Sequence, residues 1–169
     1  MTTLILSKDC ATNSTLLYQD GTVAYIIKSD FAWKNRSTVI TDASGTELAR
    51  INWNMVHEDT VTMKGKTMKL SEMMPRNKSL MGRNRFFKTE SGEEFEWRVD
   101  RRLYCVPVGS EICVATFYES STGILEGKGP AYIDITDQGI AEQDLIVVTC
   151  IIMENVTRSR ESVVYGGRW

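Results

Sequence analysis

The sequence predicts a mainly β, single-domain protein built of successive hairpins, with one thoroughly buried segment near its carboxyl end. Three observations carry this. Turn signals recur at short intervals, at Asp20-Gly21, Ser44-Gly45, Lys64-Gly65, Ser91-Gly92, Gly123 and Gly127-Lys-Gly-Pro130, as they do between the short strands of a barrel or sandwich. Several stretches between them alternate apolar and polar residues. From Leu145 to Met153, only Thr149 and Cys150 soften an otherwise aliphatic run. Such a run has no side that can face water, and it is far shorter than the about 20 residues that cross a bilayer. It must lie inside protein.

The strands follow in order. Thr22-Val-Ala-Tyr-Ile-Ile-Lys28 is β-branched and aromatic. Ser37-Thr-Val-Ile-Thr41 leads through Asp42-Ala-Ser-Gly45 into Glu47-Leu-Ala-Arg-Ile-Asn-Trp53. There Leu48 and Ala49 are followed by Ile51 and Trp53, with Arg50 and Asn52 on the other face, the period of a strand with one wet side. Arg85-Phe-Phe-Lys-Thr89, Ser91-Gly92 and Glu94-Phe-Glu-Trp-Arg-Val99 make the clearest hairpin. Phe95, Trp97 and Val99 point one way, and Glu94, Glu96 and Arg98 form a solvated ladder on the other. Glu111–Tyr118 and Ala131–Ile135 continue the series. Asp20-Gly-Thr-Val-Ala-Tyr-Ile and Ser44-Gly-Thr-Glu-Leu-Ala-Arg-Ile echo one another, too briefly for a repeat. Strand periodicity lapses from Met68 to Asn84, which reads as a loop with a short helical turn before Pro75.

For the closing segment, composition and context disagree. Its Ile, Val and Thr residues lose χ1 freedom in helices and favour a strand. Against that, Asp137 or Asp144 offers an N-cap, Arg158 and Arg160 suit a helix C-terminus, and about Ile140 to Arg160 is too long for one ordinary strand. Period cannot separate the two when every position is apolar.

The totals exclude several classes. A chain of 169 residues with 42% apolar and 25% charged content fits one soluble domain. A net charge of −2 does not suggest a nucleic-acid binder. Charge is uneven, however: from Lys64 to Arg102 there are 11 Lys/Arg and 6 Asp/Glu, leaving −7 on the remainder. The amino terminus has no basic n-region, so no secretion signal is read, and the expected location is the cytoplasm, at a membrane surface, or the nucleus. Cys10, Cys105, Cys113 and Cys150 are then expected reduced. No Cys-x-x-Cys occurs and His57 is the sole histidine, so neither a zinc site nor another cofactor is expected. Cys105, Cys113 and Cys150 read as small core residues.

Catalytic signals are thin. No Gly-x-Ser-x-Gly elbow accompanies His57, no Walker-type loop is present, and Gly127-Lys-Gly-Pro130 reads as a turn. A non-enzymatic binding module is the expectation. Lys64, Lys66, Lys69, Arg76, Lys78, Arg83 and Arg85 are the candidate residues, for an anionic lipid headgroup such as a phosphoinositide, or for a protein partner. The alternatives are a barrel carrying a small ligand inside it and a hydrolase using His57. Trp169 offers a local or partner contact.

The order of features resembles a fungal family of uncharacterised domains related to the tubby C-terminal-like fold, which also includes plant LURP-one-related proteins and phospholipid scramblases. The matching residues are Asp20-Gly-Thr-Val-Ala-Tyr25, Glu47-Leu-Ala-Arg-Ile-Asn-Trp53, Phe86 with Ser91-Gly-Glu-Glu-Phe-Glu-Trp97, and Asp144-Leu-Ile-Val-Val-Thr149 before Arg158 and Arg160. The likeness spans roughly Leu16 to Arg160. It implies a closed antiparallel β-barrel of about twelve strands around a hydrophobic helix near the carboxyl end, and it resolves the closing segment as that helix. Some tubby-like members bind phosphoinositides through basic groups on the barrel.

Overall fold

The computed structural model describes residues 1–30, 35–77, 82–121 and 129–165. Twelve strands lie in one antiparallel sheet: β1 (Thr2–Leu6), β2 (Ser14–Leu17), β3 (Val23–Ser29), β4 (Asn35–Asp42), β5 (Glu47–Asn54), β6 (Thr60–Met63), β7 (Lys66–Lys69), β8 (Arg85–Lys88), β9 (Glu94–Val99), β10 (Leu103–Pro107), β11 (Ala115–Tyr118) and β12 (Tyr132–Ile135). The spatial order is β7-β6-β5-β4-β3-β2-β1-β12-β11-β10-β9-β8. Two meanders, β1 to β7 and β8 to β12, are therefore joined through one long-range pair, β1 with β12, in the register Thr2↔Ile135 to Ile5↔Tyr132.

Among the described residues, two helices complete the fold. α1 (Leu70–Met73) is the expected helical turn before Pro75. α2 (Gln143–Tyr165) follows a 3-10 turn at Ile140–Glu142. The long apolar segment is helical despite its β-branched residues, because protein encloses it on every side. Ile146 to Met153 are at most 1% exposed, and they share one cluster with inward residues of all but the short β7. A helix packed all round lets tertiary burial outweigh a propensity deficit of about 0.7 kcal/mol per residue at most. The expected caps differ. Asp137 binds the amino group of Met1, the 3-10 turn starts after Gly139, and Asp144 sits in the first turn of α2. α2 also runs past Arg158 and Arg160, so neither closes it. The chain reaches α2 through a close approach: a Cβ on Gly139 would lie 2.8 Å from the Val114 carbonyl oxygen and 2.9 Å from Ile135.

The strand faces largely follow the alternation. Ala49 and Ile51 point inward on β5, and Phe95 and Trp97 on β9. Trp53 is half-buried and donates its indole N–H to Thr38 at 2.8 Å. Glu96 departs from the solvated ladder: it is 9% exposed, accepting from Asn84 at 2.9 Å and Arg98 at 2.8 Å. The anticipated loop at Met68 begins as strand β7, and Met74 fills the core with no exposure.

Closure is where the sheet differs from the expected barrel. Its edges, β7 and β8, do not pair with each other. The lower part of the seam between them is occupied by α1 and the residues after it. Arg76 bridges Arg85, and the Phe86 N–H donates to the Pro75 carbonyl at 2.9 Å. None of the helices, among the described residues, is long and apolar enough to cross a membrane.

Candidate functional site

Strand direction sorts the connections into two ends. The end beside the start of α2, called the upper end, collects the tight turns. Gly21, Gly45, Gly65, Gly92 and Gly109 all take positive φ there, between 75° and 88°. Four of these turns were expected; Val108-Gly109-Ser110 was not, and Gly123 and Gly127 lie outside the described residues. The lower end, beside the later turns of α2, carries the longer connections. Arg36 reaches down to Asn155 at 2.8 Å, and Arg158 to Asp9 at 3.4 Å.

At the upper end the open seam widens into a cleft of about 1250 Å³. Its walls are apolar, with Leu48, Met63, Met68, Met73, Phe87 and Leu145 among them. Its charged lining is acidic: Glu47, Glu72, Glu90, Glu94, Glu142 and Asp144 against Lys64, Lys66 and Lys88. Lys64 forms an ion pair with Glu90 across the top of the seam, and Lys88 with Glu94 at 2.7 Å. Deeper in, the Tyr25 hydroxyl donates to Asp144 at 2.6 Å and accepts from Gln143 at 2.9 Å, tying β3 to the start of α2. Burial, then Asp144, raises the Tyr25 pKa, so the phenol stays protonated.

The seven predicted cations do not form one site. Lys64 and Lys66 belong to the acidic cleft. Lys69 lies at the lower end and pairs with Glu58 at 3.6 Å. Arg85 is only 5% exposed and donates to the Met74 carbonyl at 2.8 Å. It is a structural pin across the seam and faces no headgroup, because its position in β8 turns it toward the chain after α1. Lys78 lies outside the described residues, as does Trp169. Arg76 and Arg83 remain, both exposed at the lower end.

Two arginines missed by the sequence reading join them. Arg101 and Arg102 are exposed in the β9–β10 turn, next to the start of β8 where Arg83 sits. Arg102 stacks 4.8 Å over the Tyr118 ring, which stacks on Tyr132 with centroids 4.4 Å apart. Among the described residues, none of Arg76, Arg83, Arg101 and Arg102 has an ion-pair partner. The signal was present in Asp100-Arg101-Arg102, a dibasic turn closing an alternating strand. At the same end the β5–β6 turn holds out Met55, 80% exposed, and Val56, 87% exposed.

The histidine and the cysteines lie apart from the described cleft. His57 is exposed in the β5–β6 turn and does not line the described cleft. Cys105 and Cys150 are buried, and desolvation raises both pKa values, keeping the thiols protonated. Cys113 is half-buried and hydrogen-bonds the Ala115 carbonyl, and Cys10 is exposed. No group of metal-ligating side chains occurs among the described residues.

Glu154, 7% exposed on α2, makes a pH prediction. Its pKa is raised by burial and partly restored by Arg158, 2.7 Å away. A carboxyl with a raised folded pKa binds its proton more tightly when folded. Its contribution is therefore most favourable below the ordinary value of 4.5 and is lost as pH rises through the folded value. Denaturant titrations at pH 4.5 and 7.5 are expected to show a smaller loss of stability with pH for Glu154→Gln than for the parent, and a gain for the variant at pH 7.5.

Residues 9–159 match the profile of a family described as a family of unknown function, DUF6593. No curated protein matches the chain. An X-ray structure of a protein from Arabidopsis thaliana aligns over 92% of this chain and 91% of that one, at 13% identity and a TM-score of 0.45.

Proposed function

The chain belongs to the DUF6593 family, and we propose that this member is a non-enzymatic binding module whose lower end docks on an anionic membrane surface. The observation that supports the reading best is the group of four exposed arginines without ion-pair partners among the described residues, Arg76, Arg83, Arg101 and Arg102. Guanidinium forks match phosphate oxygens bidentately, and Arg102 is pre-oriented by its stack on Tyr118. Met55 and Val56, exposed at the same end, would enter the headgroup layer as the arginines hold its phosphates. The resemblance to tubby-like domains points the same way. The acidic cleft at the upper end is the wrong place for such a ligand, and α2 occupies the interior that a small-ligand carrier would need.

The test is vesicle sedimentation at low and at high salt. Vesicles carrying a phosphoinositide should pellet the protein at low salt and release it as salt rises, whereas neutral phosphatidylcholine vesicles should not. Each basic group near an anionic surface is worth about 1 kcal/mol. The double variant Arg101→Glu, Arg102→Glu should therefore weaken binding at least about tenfold while melting like the parent. A free inositol phosphate competitor separates headgroup recognition from general attraction to the surface. Equal pelleting of variant and parent would remove the reading.

A further inference from the structure

We infer that the seam between β7 and β8 is a docking site for an extended basic peptide, which would add as a strand to the open sheet. This stands apart from the reading of the lower end, since it uses the opposite end and the opposite charge.

β6 and β7 meet through the two-residue turn Lys64-Gly65, in the register Met63↔Lys66, Thr62↔Thr67, Val61↔Met68. Hydrogen-bonded and non-bonded pairs alternate in an antiparallel ladder. Met63 and Lys66 flank the turn as a bonded pair, so the N–H and C=O of Thr67 point away from β6, into the seam. On the other side, the Thr89 N–H bonds the Glu93 carbonyl at 2.9 Å. Lys88, opposite Glu94, is then a non-bonded position whose N–H and C=O also face the seam. Phe86, two residues earlier, confirms the phase, because its N–H already goes out to Pro75. Two facing strand edges thus expose main-chain groups over the upper part of the seam. Exposed edges of this kind template strand addition.

The cleft beneath these edges is walled by Met63, Met68, Met73 and Phe87, with Glu72, Glu90, Glu142 and Asp144 around it. An extended segment alternates its side chains, so one face can fill an apolar floor while the other meets the carboxylates. The complement is a peptide alternating apolar and basic residues. Methionine walls adapt to a varied apolar face. The exposed Lys64–Glu90 pair spans the top of the seam and is the contact an incoming strand would displace.

The test uses three synthetic hexapeptides, amidated and acetylated: alternating Leu and Lys, alternating Leu and Glu, and the Leu-Lys peptide N-methylated at every second residue. Amide shifts in two-dimensional NMR should move at Thr67 and Lys88 for the first peptide. Its affinity should exceed that of the other two at least tenfold. Thr67→Pro removes the N–H that faces the seam, which an edge strand tolerates, together with the exposed Thr67–Thr62 hydroxyl bond at 2.7 Å. It should weaken binding, whereas Thr67→Val, which loses that bond but keeps the N–H, should not. Glu72→Gln with Glu142→Gln should weaken it too, with the sheet intact by circular dichroism. If the Leu-Lys peptide does not bind, if the Leu-Glu or N-methylated peptide binds as well, or if shifts cluster at Arg101 and Arg102 instead, the inference fails.

Discussion

Replacing Ile151 with aspartate is expected to leave the chain unfolded. Ile151 has no exposed surface and sits mid-way along the enclosed part of α2. A carboxyl there would lie within the apolar core cluster, and whether it stays charged or takes up a proton it costs several kcal/mol, on top of the lost packing, against the about 5–15 kcal/mol that hold a domain together. The milder Ile151→Ala leaves a cavity and should cost about 2–5 kcal/mol. Val108→Asp, at a site 46% exposed, is the control and should cost under about 0.5 kcal/mol. Chemical denaturation followed by circular dichroism reads all three. A folded Ile151→Asp protein of ordinary stability would mean that α2 is not enclosed by the sheet.

The second large effect belongs to a polar contact inside that enclosure. Trp97 is wholly buried on β9, and its indole N–H donates to the Thr149 hydroxyl at 2.8 Å. The hydroxyl in turn donates a hydrogen bond to the Leu145 carbonyl at 2.8 Å, so donors and acceptors are matched. Thr149→Val keeps the shape and strands the indole N–H, which should cost about 1–3 kcal/mol. Trp97→Ala empties the largest fully buried side chain among the described residues and should cost about 3–5 kcal/mol. Combining Thr149→Val with Trp97→Phe should cost less than the two changes summed, by about 0.5–3 kcal/mol, because the second removes the donor that the first orphaned. Strict additivity would deny the bond any energetic role.

The strands were legible because one face of each is wet and period 2 survives in the residues, as in Glu47–Trp53. The helix was not legible from its own residues: with every side buried, Leu145–Met153 carries no period. Closure was also out of reach. Whether β7 and β8 meet depends on how α1 and Pro75 fill the gap, and no local pattern encodes that. The basic residues are dispersed for a geometric reason. In a meander, neighbours along the chain travel to opposite ends, so one hairpin puts Lys64 at the top and Lys69 at the bottom. Arg85, one strand on, turns inward. The basic stretch was real as a sequence and scattered as a surface. Conversely, the acidic cleft draws carboxylates from Glu47 to Asp144, too far apart to be seen as a group.

The joining of the two meanders through β1 and β12 has a consequence for biogenesis. Ile135, the partner of Thr2, leaves the ribosome more than 130 residues after it. At about 5–20 residues per second, the first strand waits for roughly 7–27 s with an unpaired border and its apolar side uncovered. The helix that fills the interior is made later still. Until then the nascent chain is an open ribbon, which should make it a client of holding chaperones and slow to refold from dilute denaturant, since its decisive pairing is among the most distant in the sequence.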